Sequence, residues 1–142
     1  MSYLPKRARG AGSYATIGLE TAVNSASPEK LITLLFEGAR SAIRRAEQCL
    51  ARGDIAGRGQ AISKALEIVG NGLRASLNLE AGGEVAANLA NLYEYIERCL
   101  LLANLHADAA KLAEAERLLA DLGGAWNDMA QSRQAGATAP TP

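Results

Sequence analysis

Histidine is almost absent from this 142-residue chain, which has His106 and no other. That scarcity removes histidine-rich metal and acid–base sites, and Ala103 stands three residues before it, so the Glu-x-x-His pairs of carboxylate di-metal bundles are missing too. Cysteine is as sparse: Cys49 and Cys99 lie far apart, without the close pairing that zinc and redox motifs need, and read as two buried, reduced thiols. Aromatic residues make up 4% of the chain, and valine and threonine are few beside alanine and leucine, which argues against a β-rich domain. Charge of one sign is lacking as well. Lysine plus arginine and aspartate plus glutamate each total 15, so the usual electrostatic case for nucleic acid or an anionic membrane disappears. No apolar run approaches a membrane span and no secretory signal opens the chain, so the expectation is a cytoplasmic protein with no nucleic acid partner and no membrane insertion. Lys6, Arg7 and Arg9 are the one basic cluster near a terminus and read as a solvated tail. Walker, His-Glu-x-x-His and dinucleotide fingerprints are all missing, and Glu94 and Glu97 beside Arg98 read as a charged outer surface. The expectation is no metal, no cofactor and no enzyme.

What is present is apolar residues recurring at three- and four-residue steps. Ser27, Pro28 and Glu29 form a helix start: a hydroxyl to cap a free amide, a proline at a position that needs no N–H, and an acid at the positive end of the dipole. The first helix then places Leu31, Leu34, Leu35, Gly38, Ala42, Ala46, Cys49 and Leu50 on its apolar face. Gly53 and Asp54 end it and begin a second helix to about Leu79, with Ile55, Ile62, Ala65, Leu66, Val69, Leu73 and Leu77 inward. Gly70 and Gly72 inside that helix each cost up to about 1 kcal/mol against alanine and call for a close approach, either within the bundle or by a partner's backbone. Ala81, Gly82 and Gly83 break the pattern. The third helix, from Glu84, carries a core row of Val85, Leu89, Leu92, Ile96, Cys99, Leu100 and Ala103. Tyr93, Tyr95, Leu101, Leu102 and Leu105 widen its apolar surface beyond one core stripe, which implies an additional partner. Asp108 caps a fourth helix with Leu112, Ala115, Leu118, Leu119, Leu122, Trp126 and Met129 inward, and Gly123 and Gly124 are placed to bend it.

The pattern predicts an all-α chain, an antiparallel up-down-up-down four-helix bundle with a short N-terminal capping segment. Residues 1–24 read as a flexible segment, 25–134 as the bundle and 135–142 as a disordered tail. Tyr14, Ile17 and Leu19 are apolar residues in a glycine-rich stretch, and two readings stand side by side: a tail, or a cap over an apolar groove.

SASPEKLITLLFEGA at Ser25–Ala39, Lys64 with Ala65, ASLNLEAGGEVAANLANLYEYI at Ala75–Ile96, Ala103 with Asn104, and the late Trp126 together resemble the flagellar secretion chaperones of the FliS type. The resemblance covers about residues 13 to 128. Phe36 stands where that family usually has tyrosine, and Asn78 where aspartate is common. The resemblance implies a chaperone whose apolar grooves receive the disordered C-terminal segment of flagellin, preventing premature polymerisation and delivering an export-competent chain. It also implies contact with the flagellar export apparatus and a tyrosine-bearing N-terminal segment, here Tyr14, that covers a groove until flagellin arrives. A homodimer of the free protein, or a purely self-associating structural bundle without a client, is the competing expectation.

Ordering about 30 residues of a disordered client at about 1.5 kcal/mol each costs on the order of 45 kcal/mol. At about 25 cal/mol per Å² this requires roughly 1,800 Å² of apolar burial, so more than one helix must contribute. The expected flagellin-binding residues are Leu31, Ile32 and Leu35 of the first helix, Leu79, and Asn88, Leu92, Tyr93 and Tyr95 of the third. Of these, Leu92 is read as belonging also to the core row and Tyr93 as facing outward.

Overall fold

The computed structural model describes residues 27–138, with side chains to Arg133. The segment 1–24, with Tyr14, Ile17 and Leu19, lies outside the described residues.

Helix α1 (Pro28–Arg52) starts as its sequence dictates: Ser27 is extended, and its hydroxyl accepts from the Lys30 amide at 3.1 Å. Gly53, in the left-handed region at φ 73°, closes it, and the Asp54 carboxylate accepts from the Gly57 amide at 2.9 Å to open α2 (Ile55–Glu67). Helix α2 does not run to Leu79. It widens into a π-helical turn, Ile68–Arg74, after which the chain turns and Asn78 caps the Ala81 amide at 3.0 Å. Asparagine and aspartate cap about equally well, so either residue at position 78 serves this turn. Helix α3 (Leu79–His106) contains one non-helical residue, Gly83, at φ 53° and ψ −130°. Its first turn is therefore kinked away from the rest, at the place where the glycine pair breaks the sequence pattern. Asp108 caps α4 (Ala109–Thr138) through the Ala110 and Lys111 amides. That helix passes through Gly123 and Gly124 without a break and extends beyond residue 134.

Side-chain pairs fix the directions. Arg40 meets Glu116 at 2.9 Å and Arg133 meets Glu29 at 3.0 Å, so α1 and α4 run antiparallel. Arg58 reaches Asn104 and Arg74 reaches Glu97, which sets α2 and its π turn antiparallel to α3. Each helix thus packs on two neighbours in an up-down-up-down ring, and no strand occurs among the described residues.

The core is built from small side chains: Ala39, Ala42 and Ala46 of α1 face Ala61 and Ala65 of α2, with Ile43, Ile62, Ile96, Leu100, Leu112 and Leu119 filling the centre. Alanine loses no rotamer freedom on burial and permits close helix approach. The glycines of the π turn act similarly, inside the bundle. A Cβ on Gly70 would lie 2.9 Å from Glu97 Oε1, and one on Gly72 would lie 3.0 Å from Leu35.

Several expected core positions are displaced. On α1 the buried row is Phe36, Ala39, Ala42, Ile43, Ala46 and Cys49, while Leu31, Leu34 and Leu35 are half-buried beside it. Ile55 and Val85 are each 69% exposed, because both stand at helix starts where no neighbouring helix covers them. The division of α3 is reversed: Tyr93 is 4% exposed and Leu92 is half-buried at the edge of the core. At 100° per residue Tyr93 falls in line with Ala86, Ile96 and Leu100, the face that meets the other helices.

Tyr93→Asp is therefore expected to remove several kcal/mol of stability, since it places a carboxylate in the core, and Leu92→Asp to remove less than half as much. Thermal melts of the two variants followed by circular dichroism check this; equal losses would contradict the burial pattern.

Candidate binding groove

At one end of the bundle the four helices splay rather than close. The start of α1, the chain after the π turn, the kinked start of α3 and the end of α4 surround a groove of about 560 Å³. Its floor is aromatic and aliphatic: Phe36 and Tyr93, with ring centroids 6.4 Å apart, lie beside Leu73, Leu89 and Trp126. Ile32 forms the α1 side, Leu77 and Val85 the opposite lip, and Leu122 and Met129 the α4 side. Besides the Tyr93 hydroxyl and the Trp126 indole nitrogen, the polar side chains of the lining are the exposed Ser76 and Asn78.

Local sequence explains this shape. Gly83 holds the first turn of α3 at an angle, and with ψ near −130° only glycine adopts its backbone without strain. Gly82, on the groove lining, lies so close to Ala86 that a Cβ there would fall 2.6 Å from the Ala86 Cβ. Across the groove, the indole of Trp126 donates to the Glu29 carbonyl at 3.1 Å, and the Arg133–Glu29 ion pair holds the same end of α4 against α1. On this wall Gly123 lets α4 approach Phe36, where a Cβ would meet the ring at 3.2 Å.

Of the eight expected contact residues, the groove brings together Ile32 and Tyr93. Leu31 and Leu35 are half-buried along α1, the latter packed over Gly72, while Leu79 and Asn88 are exposed along α3. Leu92 lies at the core edge, and Tyr95 turns toward α4. Leu77, Val85 and Met129 line the groove although their periodicity suggested core, and Leu73, buried in the core as expected, also forms part of the groove floor. Their signal was positional: each belongs to a core row where its helix begins or ends, and there the core has no fourth wall.

A second apolar surface lies outside the groove. Leu101, Leu102 and Leu105 are exposed on the far half of α3, Leu105 at 73%. Between the two surfaces, the Tyr95 hydroxyl donates to Glu114, which also pairs with Lys111 at 3.3 Å. The hydrogen bond to Glu114 pushes the Tyr95 phenol up to about 12, and the same bond lowers the Glu114 carboxyl from its ordinary 4.5. Burial pushes Tyr93 up to about 12, and burial foremost raises the Cys99 thiol, so Cys99 lacks the lowered pKa of a reactive thiolate; both cysteines are buried and free. Among the described residues no cluster of histidine, cysteine, aspartate or glutamate is arranged to hold a metal, and no helix is long and apolar enough to cross a membrane.

The family model described as flagellar protein FliS matches residues 10–133. The chain is 48% identical over 122 residues to the flagellar secretion chaperone FliS of Salmonella typhimurium, covering 86% of this chain and 90% of that one. Identity to the Escherichia coli protein of the same name is 43% over 121 residues, covering 85% and 89%. The Bacillus subtilis FliS is 31% identical over 115 residues, covering 81% and 84%.

The Tyr95–Glu114 bond has a pH signature. A carboxyl with a lowered folded pKa contributes stability that is present above its ordinary value and lost as pH falls through the lowered one; a phenol raised to about 12 contributes stability that is complete below about 10 and lost as pH rises through 12. Tyr95→Phe is expected to lower the melting temperature at neutral pH and to converge with the parent at both extremes. Melting curves between acid and alkaline pH test this; a constant offset at every pH would contradict it.

Proposed function

The chain belongs to the FliS family, and on that premise we propose that it is a cytoplasmic export chaperone, without catalytic activity, for the C-terminal segment of flagellin. The groove is the observation that supports this reading most directly. It is apolar, open along its length and floored by Phe36, Tyr93 and Trp126, the lining that an amphipathic helix needs and a small polar substrate does not. A disordered segment that folds into it hides the surface through which it would polymerise, and remains unfolded enough for export once released.

The groove by itself is smaller than the roughly 1,800 Å² that such a segment needs to bury. The client therefore continues along α3, past Leu79 and Asn88, toward the exposed Leu101 and Leu105. Contact with the flagellar export apparatus then falls to surfaces the client leaves uncovered. That same outer patch supports the second reading, self-association of the free protein through Leu101, Leu102 and Leu105. Co-purification with flagellin retaining or lacking its C-terminal segment, with light scattering of the free chain, separates the two. A client chaperone yields a one-to-one complex that depends on the segment, whereas a self-assembling bundle ignores it.

Residues 1–24 act as a cap in this reading. The chain enters α1 at Ser27, beside the Trp126–Glu29 bond at the groove wall, so Tyr14, Ile17 and Leu19 are tethered within reach. Tethering gives even weak docking an effective concentration in the millimolar range. Deleting residues 1–24 is expected to speed association with a labelled flagellin segment in stopped flow and to leave the melting transition unchanged, since the first cap is Ser27. An unchanged rate would reduce the segment to a tail, and lost binding with an intact transition would make it part of the client site.

A further inference from the structure

One polar group on the groove floor has nothing to bond. The other polar side chains of the lining are engaged within the chain: the Trp126 indole donates to the Glu29 carbonyl at 3.1 Å, the Ser76 hydroxyl donates to the Leu73 carbonyl at 2.8 Å, and the Asn78 side-chain oxygen accepts from the Ala81 amide at 3.0 Å. The Tyr93 hydroxyl has no hydrogen-bond partner among the described residues, and burial is the sole cause that pushes its phenol up to about 12. Yet it is not sealed in. Among the described residues, the fully buried side-chain oxygen or nitrogen left without a partner is Glu116 Oε2, on the α1–α4 seam. Tyr93 Oη therefore keeps solvent contact although the residue is only 4% exposed, and the space it meets is the groove that Tyr93 lines. Tyr95, two residues on, shows the alternative, for its hydroxyl donates to Glu114.

We infer that the groove selects a helical segment carrying a side-chain amide, asparagine or glutamine, within its apolar stripe, placed to bond the Tyr93 hydroxyl. This rests on the proposal that the groove receives a helical client segment. A helix lying over the floor strips the hydroxyl of solvent, and a buried hydroxyl without a partner costs binding more than a missing apolar contact does. The neutral phenol donates to a carbonyl oxygen and accepts from an N–H, and a carboxamide offers both on one planar group. A carboxylate or an ammonium would have to shed its hydration against Phe36, Leu73 and Leu89. Serine and threonine are short and bond back to their own helix. Elsewhere along the stripe an amide meets apolar walls and is left unpaired, so this one hydroxyl sets the register of the client as well as a residue in it.

Trp126 is the only tryptophan and lines the groove, so its emission reports occupancy. The test uses the full chain and synthetic helical peptides without tryptophan that share one leucine–alanine stripe. At each stripe position in turn, one peptide carries glutamine and its counterpart methionine, which has a similar length and no amide. Glutamine is expected to bind roughly tenfold more tightly than methionine at one position and more weakly at the others. Tyr93→Phe keeps the ring and removes a group without a partner, so its melting transition is expected to match the parent's. At the selected position it should bind the methionine peptide severalfold more tightly than the parent does, and favour it over the glutamine peptide. Weaker binding of glutamine at every position in the parent chain, or a glutamine advantage that survives Tyr93→Phe, overturns the inference and leaves the groove as a client site; the first of these is read without any variant. If no peptide, and no flagellin C-terminal segment, alters Trp126 emission, both readings fail together.

Discussion

Gly83 decides what the open end of this bundle is. With φ at 53° and ψ at −130°, it turns the first residues of α3 out of line with the rest of the helix, and an L side chain there is strained whatever space surrounds it. Were α3 straight, Leu79 to Gly82 would continue its axis, and the lip formed by Ala81 and Gly82 would be lost. The opposite wall needs its own anchor, which the Trp126 indole supplies by bonding the Glu29 carbonyl in the first turn of α1. That carbonyl already accepts from the Thr33 hydroxyl, so helix start, aromatic floor and groove wall share one small network.

Three of the four helix starts were legible, the exception being the Asn78 cap of α3, which falls where the second helix was expected to continue. Ser27, the Gly53–Asp54 pair and Asp108 act as their residue types predict, because a cap depends on three or four neighbouring atoms and on nothing distant. The faces were legible only approximately. On α1 the leucines attract attention, yet the helix buries Phe36, Ala39 and Ile43 and leaves Leu31, Leu34 and Leu35 half-covered, since close packing of alanines rewards fit more than hydrophobicity. Tyr93 and Leu92 exchange roles because Tyr93 lies in line with Ala86, Ile96 and Leu100, whereas Leu92 falls about 100° away at the edge of the core. The π turn had no signature beyond Gly70 and Gly72, because widening a helix from four-residue to five-residue hydrogen bonds changes no residue's polarity. Of the groove, the sequence disclosed Ile32, Tyr93 and the surplus of apolar surface on α3. It hid Leu77, Val85 and Met129, for periodicity reports which face is apolar and not whether another helix covers it.

Electrostatics here set alignment more than stability. Arg40–Glu116, Arg74–Glu97 and Arg133–Glu29 each join different helices, and each retains substantial solvent contact, so none contributes much by itself. Their geometry is nonetheless specific. Arg74 meets Glu97 with two hydrogen bonds, which holds the π turn in one register against α3 and fixes where Leu73 enters the groove floor. Glu47 shows the opposite situation. Partial burial, with Glu116 nearby, raises its carboxyl above the ordinary value, so this part of the α1–α4 seam tolerates acid better than Glu114 does.

The Trp126–Glu29 bond joins residues 97 positions apart, whereas α1 and α2 are joined by a two-residue turn whose contacts are local. Loop-closure entropy must be met before a distant contact returns any enthalpy, so hairpins form early and the pairing of the chain's two ends comes last. Contacts that complete a fold last are also among those that open at the smallest free energy. The groove wall therefore depends on a contact that only the full run from α1 to the end of α4 can make. The opposite end rests instead on alanine packing between helices joined by a two-residue turn, so the two ends of one bundle are held by contacts of very different span.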